Sequence, residues 1–309
     1  MNFKNKLYYV EFAFNRIVQK IFGLQARTIN YKMPSDAQAN KLIAEKLDRG
    51  VPFSLLRPGN GEYSFVQQYD EFRMFRTKRY TRQRMYLVLR KDESLISKWC
   101  EQFEKDLHEA DIVAVFALDA VGEQYLLKSY ANPDAKFILL SQIESHFYDS
   151  RHSWVRHLEG KKVLIISPFV EQIKKQYNRR SLVWGKNEFL PQMEMRYLKS
   201  VWYIDENDNG GFASWFDALQ YLMDQLEKID FDVALIGCGP FSTFLASHCK
   251  RMGKVGIQYG GALQMLFGIK GARWDNNSFY NKFFNKYWVR ASKDNAPKNA
   301  NLLDDTCYW

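Results

Sequence analysis

Cysteine is scarce in this chain: four in 309 residues, Cys100, Cys238, Cys249 and Cys307, with no CxxC pair. That spacing argues against a disulfide framework and against a thiolate zinc site. Histidine is nearly as scarce, five in all. None stands in HExxH or comparable spacing, so a zinc site of the metalloprotease kind is not expected. No apolar run approaches the roughly 18 residues that a membrane span needs. The first residues also lack the apolar core and small-residue cleavage site of a secretory signal. Neither an internal repeat nor a low-complexity linker divides the chain. The expectation is a cytoplasmic protein with reduced thiols.

Positive charge is what the chain has in excess. Lys and Arg number 44 against 35 acidic residues, a formal charge of +9. Such a balance favours anionic partners: phosphates, a bilayer surface or nucleic acid. The basic residues are spread along the chain without a recognisable nucleic-acid module, so nucleic acid is not expected as the partner. Hydrophobic residues make up 46% and charged ones 26%, enough to build one large domain or two moderate ones. Aromatics reach 16% and fall partly in polar loops and in the tail, where they either stack on sugars or bases or pack locally.

Residues Asn5 to Leu24 read as an amphipathic helix. Leu7, Val10, Phe14, Ile17, Val18 and Ile21 recur at helical spacing, with Lys4, Lys6, Arg16, Lys20 and Arg27 around them. Such a helix either packs on its own domain or a second subunit, giving a homo-oligomer, or lies on an anionic membrane surface. It occupies residues 1–30, ahead of one domain over residues 31–309. In that domain strands are expected at Val51 to Arg57, Ile112 to Leu118, Lys136 to Leu140, Val163 to Ile166, Val201 to Ile204, Phe231 to Ile236 and Lys254 to Tyr259. Helices are expected over Asp36 to Leu47, from about Tyr63, and over Asp92 to Glu109 and Gly122 to Tyr130. Others should cover Phe169 to Tyr177 and Phe212 to Lys228. This alternation predicts an α/β fold, a mostly parallel sheet with helices on both faces. From Trp274 onward an irregular C-terminal extension, rich in Asn, Lys and aromatics, must pack back onto the domain.

Two strand ends run into glycine turns. Ile236 is followed by Gly237-Cys238-Gly239-Pro240, and a helix opens with Ser242 and Thr243 in its first turn. Tyr259 is followed by Gly260-Gly261, and Ala262 to Phe267, with Gln264, reads as the next helix. Glycine lets backbone approach a ligand, and a helix start presents unpaired N–H groups to an anion. In a parallel sheet both loops fall on the same rim, where ligands bind. Either glycine pair also serves as plain turn punctuation. Cys238 is expected to be a small buried hydrophobe rather than a nucleophile.

A third strand end carries more chemistry: Arg57-Pro58-Gly59-Asn60-Gly61-Glu62. Arg57 offers a two-pronged grip on phosphate. Asn60 and Glu62 could turn two oxygens toward a divalent cation, Mn²⁺ or Mg²⁺, or could simply form a turn and charge a helix start. Weaker candidates are Asp119, Glu123, Ser141, Gln142 and Glu144 after other strands. The acidic run Asp205 to Asn209 reads as a solvated turn rather than a metal loop, and Lys174, Lys175, Arg179 and Arg180 form a basic cluster that either meets phosphate or solvates a helix face.

Arg57 to Glu62, Ile236 to Thr243 and Gly260 to Trp274, in that order, resemble the bacterial GT-D-fold glycosyltransferases. Val163 to Gln176 and the ending Cys307-Tyr308-Trp309 resemble a subgroup of them. The likeness spans residues 50 to 309. It implies a Rossmann-like fold and a hexosyltransferase-like activity on a nucleoside-diphosphate sugar, commonly a UDP-sugar. The acceptor would be a glycan or a lipid-linked glycoconjugate in cell-surface polysaccharide assembly. The family's Asp-x-Glu motif, associated with a divalent metal, falls on Asn60 and Glu62, and Asn in the first position weakens that metal site. By the same likeness Arg57, Asn60 and Glu62 would be catalytic. Gly59, Gly237, Gly239, Ser242, Thr243, Gly260, Gly261 and Gln264 would bind the nucleotide sugar. The alternatives are a non-catalytic nucleotide- or glycan-binding protein of the same fold and a different Rossmann-type enzyme that uses a dinucleotide or a methyl donor. Against the latter, Gly237-Cys238-Gly239 lacks the third glycine of a dinucleotide fingerprint.

Overall fold

The computed structural model describes residues 2–22, 31–76, 85, 88–116, 120–187, 189–302 and 307–309. Its strands are β1 Phe53–Leu56, β2 Ile112–Val115, β3 Lys136–Leu139, β4 Lys162–Ser167, β5 Glu194–Lys199, β6 Val233–Ile236 and β7 Val255–Gln258. They form one seven-stranded sheet in the order β3-β2-β1-β7-β6-β4-β5, parallel at every pairing. The fold is α/β and Rossmann-like. The central strands are short apolar runs because both sheet faces are covered. Successive residues serve opposite cores: Val113 and Val115 enter one, Ile112 and Ala114 the other.

The principal helices are α1 Phe3–Phe22, α2 Asp36–Asp48, α3 Asn60–Phe75, α4 Glu93–Glu109, α5 Ala120–Tyr130, α6 Val170–Tyr177, α7 Trp215–Leu226, α8 Phe241–Arg251 and α9 Ala262–Leu266. Helices α3, α4, α5, α7 and α8 share the first core, built around Trp99, Trp215 and Phe244. Helices α2, α6 and α9 share the second, built around Trp154, Phe267 and Trp288. The chain therefore leaves β1 toward one face and the adjacent β7 toward the other. The loops diverge between them, and a crevice opens at the carboxyl ends of the strands.

One strand lies elsewhere than its sequence suggests. Val201 to Ile204 is not a strand; β5 is Glu194–Lys199. That edge strand pairs with β4 alone, so one side stays open to solvent and its sequence needs no continuous apolar run. The extension from Trp274 packs back as expected: Trp274, Trp288 and Trp309 are buried, and Ile269–Lys270 pairs with Val289–Arg290. Leu24, Arg27 and Leu118 lie outside the described residues.

Helix α1 docks on α5, but through a face other than its apolar stripe. Asn5, Tyr9 and Phe12 are buried; the Phe12 ring stacks on Tyr125 at 5.0 Å, and Glu11 accepts from Lys128 Nζ at 2.8 Å. Leu7, Val10, Phe14, Ile17 and Ile21 stay exposed.

Candidate functional site

The loops after β1, β2, β4, β5, β6 and β7 converge on a cavity of about 400 Å³. It gathers Arg57, Gly59, Asn60 and Glu62 from the first loop, Gly237 and Gly239 from the sixth strand, and Gly260, Gly261 and Gln264 from the seventh. Nine of the eleven residues singled out from sequence thus stand around one space.

Arg57 is the most constrained of them. Its backbone N–H donates to Gln258 Oε1 at 2.8 Å and its Nη1 to the Tyr259 carbonyl at 3.2 Å. The guanidinium lies 5.3 Å from the Phe116 ring centre. Its Nε is buried without a hydrogen-bond partner among the described residues. Burial lowers the pKa of this group, and the charge of Glu144 opposes that shift. A buried donor left unpaired is costly, so the Nε–H of Arg57 is available to donate to a ligand oxygen. Gly260 makes room for it: its φ is +65°, and a β-carbon there would collide with Arg57 Nη1.

Three helices of eight residues or more begin at the cavity wall, α3 after Gly59, α6 after Phe169 and α8 after Pro240, and the short α9 begins there after Gly261. None has a side chain capping its start. Helices α2, α4 and α7, which begin elsewhere, are capped by Ser35, Asp92 and Ser214. The first N–H groups of a helix lack partners within it and carry the positive end of its dipole. Three such ends and the guanidinium groups of Arg57 and Arg273 give the cavity the chemistry of an anion receptor.

Glu62, in the first turn of α3, is the single acidic residue among the described lining. Its carboxylate folds back over Gly59, where a β-carbon would lie 2.5 Å from Oε2. Asn60 beside it is exposed. Among the described residues no group of three His, Cys, Asp or Glu could hold a metal ion. One carboxylate and one neutral amide do not fit a resident divalent cation, which takes six or more oxygens with charge among them.

The far wall comes from the C-terminal extension and its approach rather than from a strand-end loop. Arg273 and Tyr308 line the cavity, the guanidinium 4.9 Å from the ring centre. The tail is held by backbone bonds from Ala272 to Trp309 and from Arg273 to Cys307, at 2.9 and 3.0 Å. Gln264 serves the same purpose: Nε2 donates to the carbonyls of Tyr308 and Ile269, at 3.1 and 3.3 Å. Its amide is committed to the tail. Trp202 and Tyr203 complete that side, in the segment read as a strand.

Ser242 and Thr243 do not line the cavity. Both are buried; Ser242 Oγ accepts from the Cys238 N–H at 3.0 Å, and Thr243 Oγ1 donates to Gln258 Oε1 at 3.1 Å. In the first turn of a helix packed against the sheet, a side chain points back into the core as readily as out. Cys238 is a small buried group, its thiol pushed up to about 12 by burial.

Glu144 is buried behind the wall, accepting from Tyr280 Oη at 2.9 Å. Burial raises its pKa, and Arg57 opposes the rise. Glu123 accepts the Phe116 N–H at 2.8 Å, and Gln142 donates to the Pro34 carbonyl and Asp36. Asp119 lies outside the described residues. The Asp205–Asn209 run is a turn that fastens the tail: Asn299 donates to Asp205 and Asp208. Arg179 and Arg180 are spent on the carbonyls of Tyr287 and Leu190.

Comparison with protein-family models, with curated proteins and with solved structures gave no match to this chain.

Proposed function

We propose that the cavity binds the diphosphate of a nucleoside-diphosphate sugar, with a UDP-sugar as the first candidate, and that the protein is a glycosyltransferase. The acceptor would be a glycan or a lipid-linked glycoconjugate of cell-surface polysaccharide assembly. The observation that carries this reading is the half-buried Arg57, whose Nε is itself buried and unpartnered among the described residues, set among three uncapped helix starts at the β1/β7 crevice. The likeness of Arg57 to Glu62, Ile236 to Thr243 and Gly260 to Trp274 to the GT-D-fold enzymes supports the same donor.

In such a transfer an acceptor hydroxyl oxygen bonds to the sugar's anomeric carbon, gives up its proton to water or to the departing diphosphate, and the bond from that carbon to the diphosphate oxygen breaks. Negative charge then grows on the leaving oxygen. Fixed donors aimed at that oxygen stabilise the transition state more than the ground state. Arg57 supplies a charged fork, and Gly239 and Gly59 let backbone approach. Glu62 is placed to accept hydrogen bonds from sugar hydroxyls. No step here runs through a metal.

Thermal-shift and calorimetric titration test the reading. UDP should raise the melting temperature, because a ligand bound only by the folded state stabilises it. Arg57→Lys should weaken UDP by at least about tenfold, since a lysine cannot reproduce the planar fork of donors. Release of UDP from a UDP-sugar distinguishes transfer from binding alone. A chain stabilised by NAD or a methyl donor and indifferent to every nucleoside diphosphate would overturn the proposal.

A further inference from the structure

We infer that α1 is a docking helix whose outer face lies on an anionic lipid surface. Phe3, Leu7, Val10, Phe14, Ile17 and Ile21 follow one another at alternating spacings of four and three, which places them on one stripe. All six are exposed, Phe3 at 77%, Phe14 at 64% and Ile21 at 67%. The face that meets the domain is the opposite one, with Asn5, Tyr9 and Phe12 buried and Phe12 stacked on Tyr125. The helix is therefore fixed in place by one side while its apolar side is left uncovered. Single exposed apolar residues are ordinary, but a contiguous stripe of six marks a contact surface.

Charge selects the occupant. Lys4 borders the stripe on one margin, and Lys6 and Lys20 border it on the other; all three are exposed. The single acid in the helix, Glu11, is engaged by Lys128. A second copy of α1 would also suit the four-and-three spacing. It would, however, bring the lysines of both copies along one seam, where like charges repel. A bilayer with anionic headgroups attracts every one of them, each worth about fivefold in partitioning near the surface. Phe, Leu and Ile would enter the headgroup boundary while the axis stays in the plane of the surface. No helix among the described residues is long and apolar enough to cross a membrane. This inference does not depend on what the cavity binds.

The test is flotation of the full chain with vesicles of phosphatidylglycerol in phosphatidylcholine, against phosphatidylcholine alone. The chain should float with the anionic vesicles at low salt and largely lose them at high salt. Leu7→Ser with Phe14→Ser should lower partitioning by at least about tenfold. Lys6→Glu with Lys20→Glu should do likewise. Neither pair should shift the melting temperature, because the altered side chains are exposed, and that separates lost docking from lost folding. The inference is overturned if the full chain ignores anionic vesicles, or if the stripe variant binds them as well as the parent. It is equally overturned if light scattering shows a dimer that the stripe variant splits while neither form floats; the second copy is then the occupant.

Discussion

Thr243 and Arg57, 186 positions apart by number, meet at a single atom: Gln258 Oε1 accepts the Thr243 hydroxyl at 3.1 Å and the Arg57 backbone N–H at 2.8 Å. The residue that sequence reading placed against the ligand instead sets the strand end from which Arg57 reaches the cavity. Thr243 is a positioning residue. Its influence on the site passes through Gln258 and the end of β7.

Thr243→Val keeps the shape and removes the donor. Gln258 Oε1 retains the Arg57 N–H, so no buried acceptor is orphaned, and the cost should be about 1 kcal/mol of stability. UDP affinity should fall by less than in Arg57→Lys. Denaturant titration and calorimetry on the same samples check both. A loss of affinity equal to that of Arg57→Lys would mean that Thr243 touches the ligand after all.

The sheet was legible because fully buried strands are short, apolar and punctuated by glycine. Val233 to Ile236 and Val255 to Gln258 have no other reading once Gly237 and Gly260 end them. The edge strand Glu194–Lys199 has no such mark, with charged residues at 194, 196 and 199. The rim residues Arg57, Gly239 and Gly260 were legible from their place after strands. Phe116, Trp202 and Tyr308 were not, because loop aromatics have no spacing rule and their place depends on the distant tail returning to the cavity. The Arg273-Trp274 and Tyr308-Trp309 pairs were the available signal, since large aromatics beside polar residues must be covered by something. The stripe on α1 was legible, but which side would dock was not, because Tyr9 and Phe12 compete for the same core.

His146 makes the stability depend on pH. Its ring is buried, stacked on Phe189 at 4.7 Å, and burial holds its pKa at about 3 against 6.5. The folded state therefore binds fewer protons than the unfolded one. The stabilisation is complete above pH 6.5 and is lost as pH falls toward 3. Glu104 acts in the other direction: burial pushes its pKa up from 4.5 to about 7, so its share is lost as pH rises across that window. Comparing His146→Phe with the parent isolates the first effect. The variant should gain on the parent by up to about 1.4 kcal/mol per pH unit below 6.5. Parallel stability curves over that range would show that His146 is protonated in the fold.

Asn60→Asp tests the metal. With UDP present, a second carboxylate beside Glu62 should raise Mn²⁺ affinity by at least about tenfold over the parent, because hard cations follow oxygen charge. Without nucleotide neither form should titrate, as the protein supplies too few ligands by itself. Calorimetry that finds no Mn²⁺ bound to either form, even with UDP, removes the cation from this site.

Two glycines separate backbone strain from contact with the ligand. Gly239 and Gly260 both hold left-handed backbone, φ +59° and +65°, so alanine at either should cost about 1–2 kcal/mol of stability. Their surroundings differ. A methyl at 260 would strike Arg57 Nη1, whereas a methyl at 239 meets nothing within 4 Å. Gly260→Ala should therefore displace the guanidinium, break its bond to the Tyr259 carbonyl and weaken UDP by at least about tenfold. Gly239→Ala leaves Arg57 untouched, so any loss of UDP binding there reports the diphosphate lying against the start of α8. Inorganic pyrophosphate, titrated alongside UDP, shows whether that loss belongs to the phosphates or to the nucleoside. Unchanged affinity in Gly239→Ala, beside a normal loss in Gly260→Ala, would move the diphosphate away from α8 and toward the start of α3.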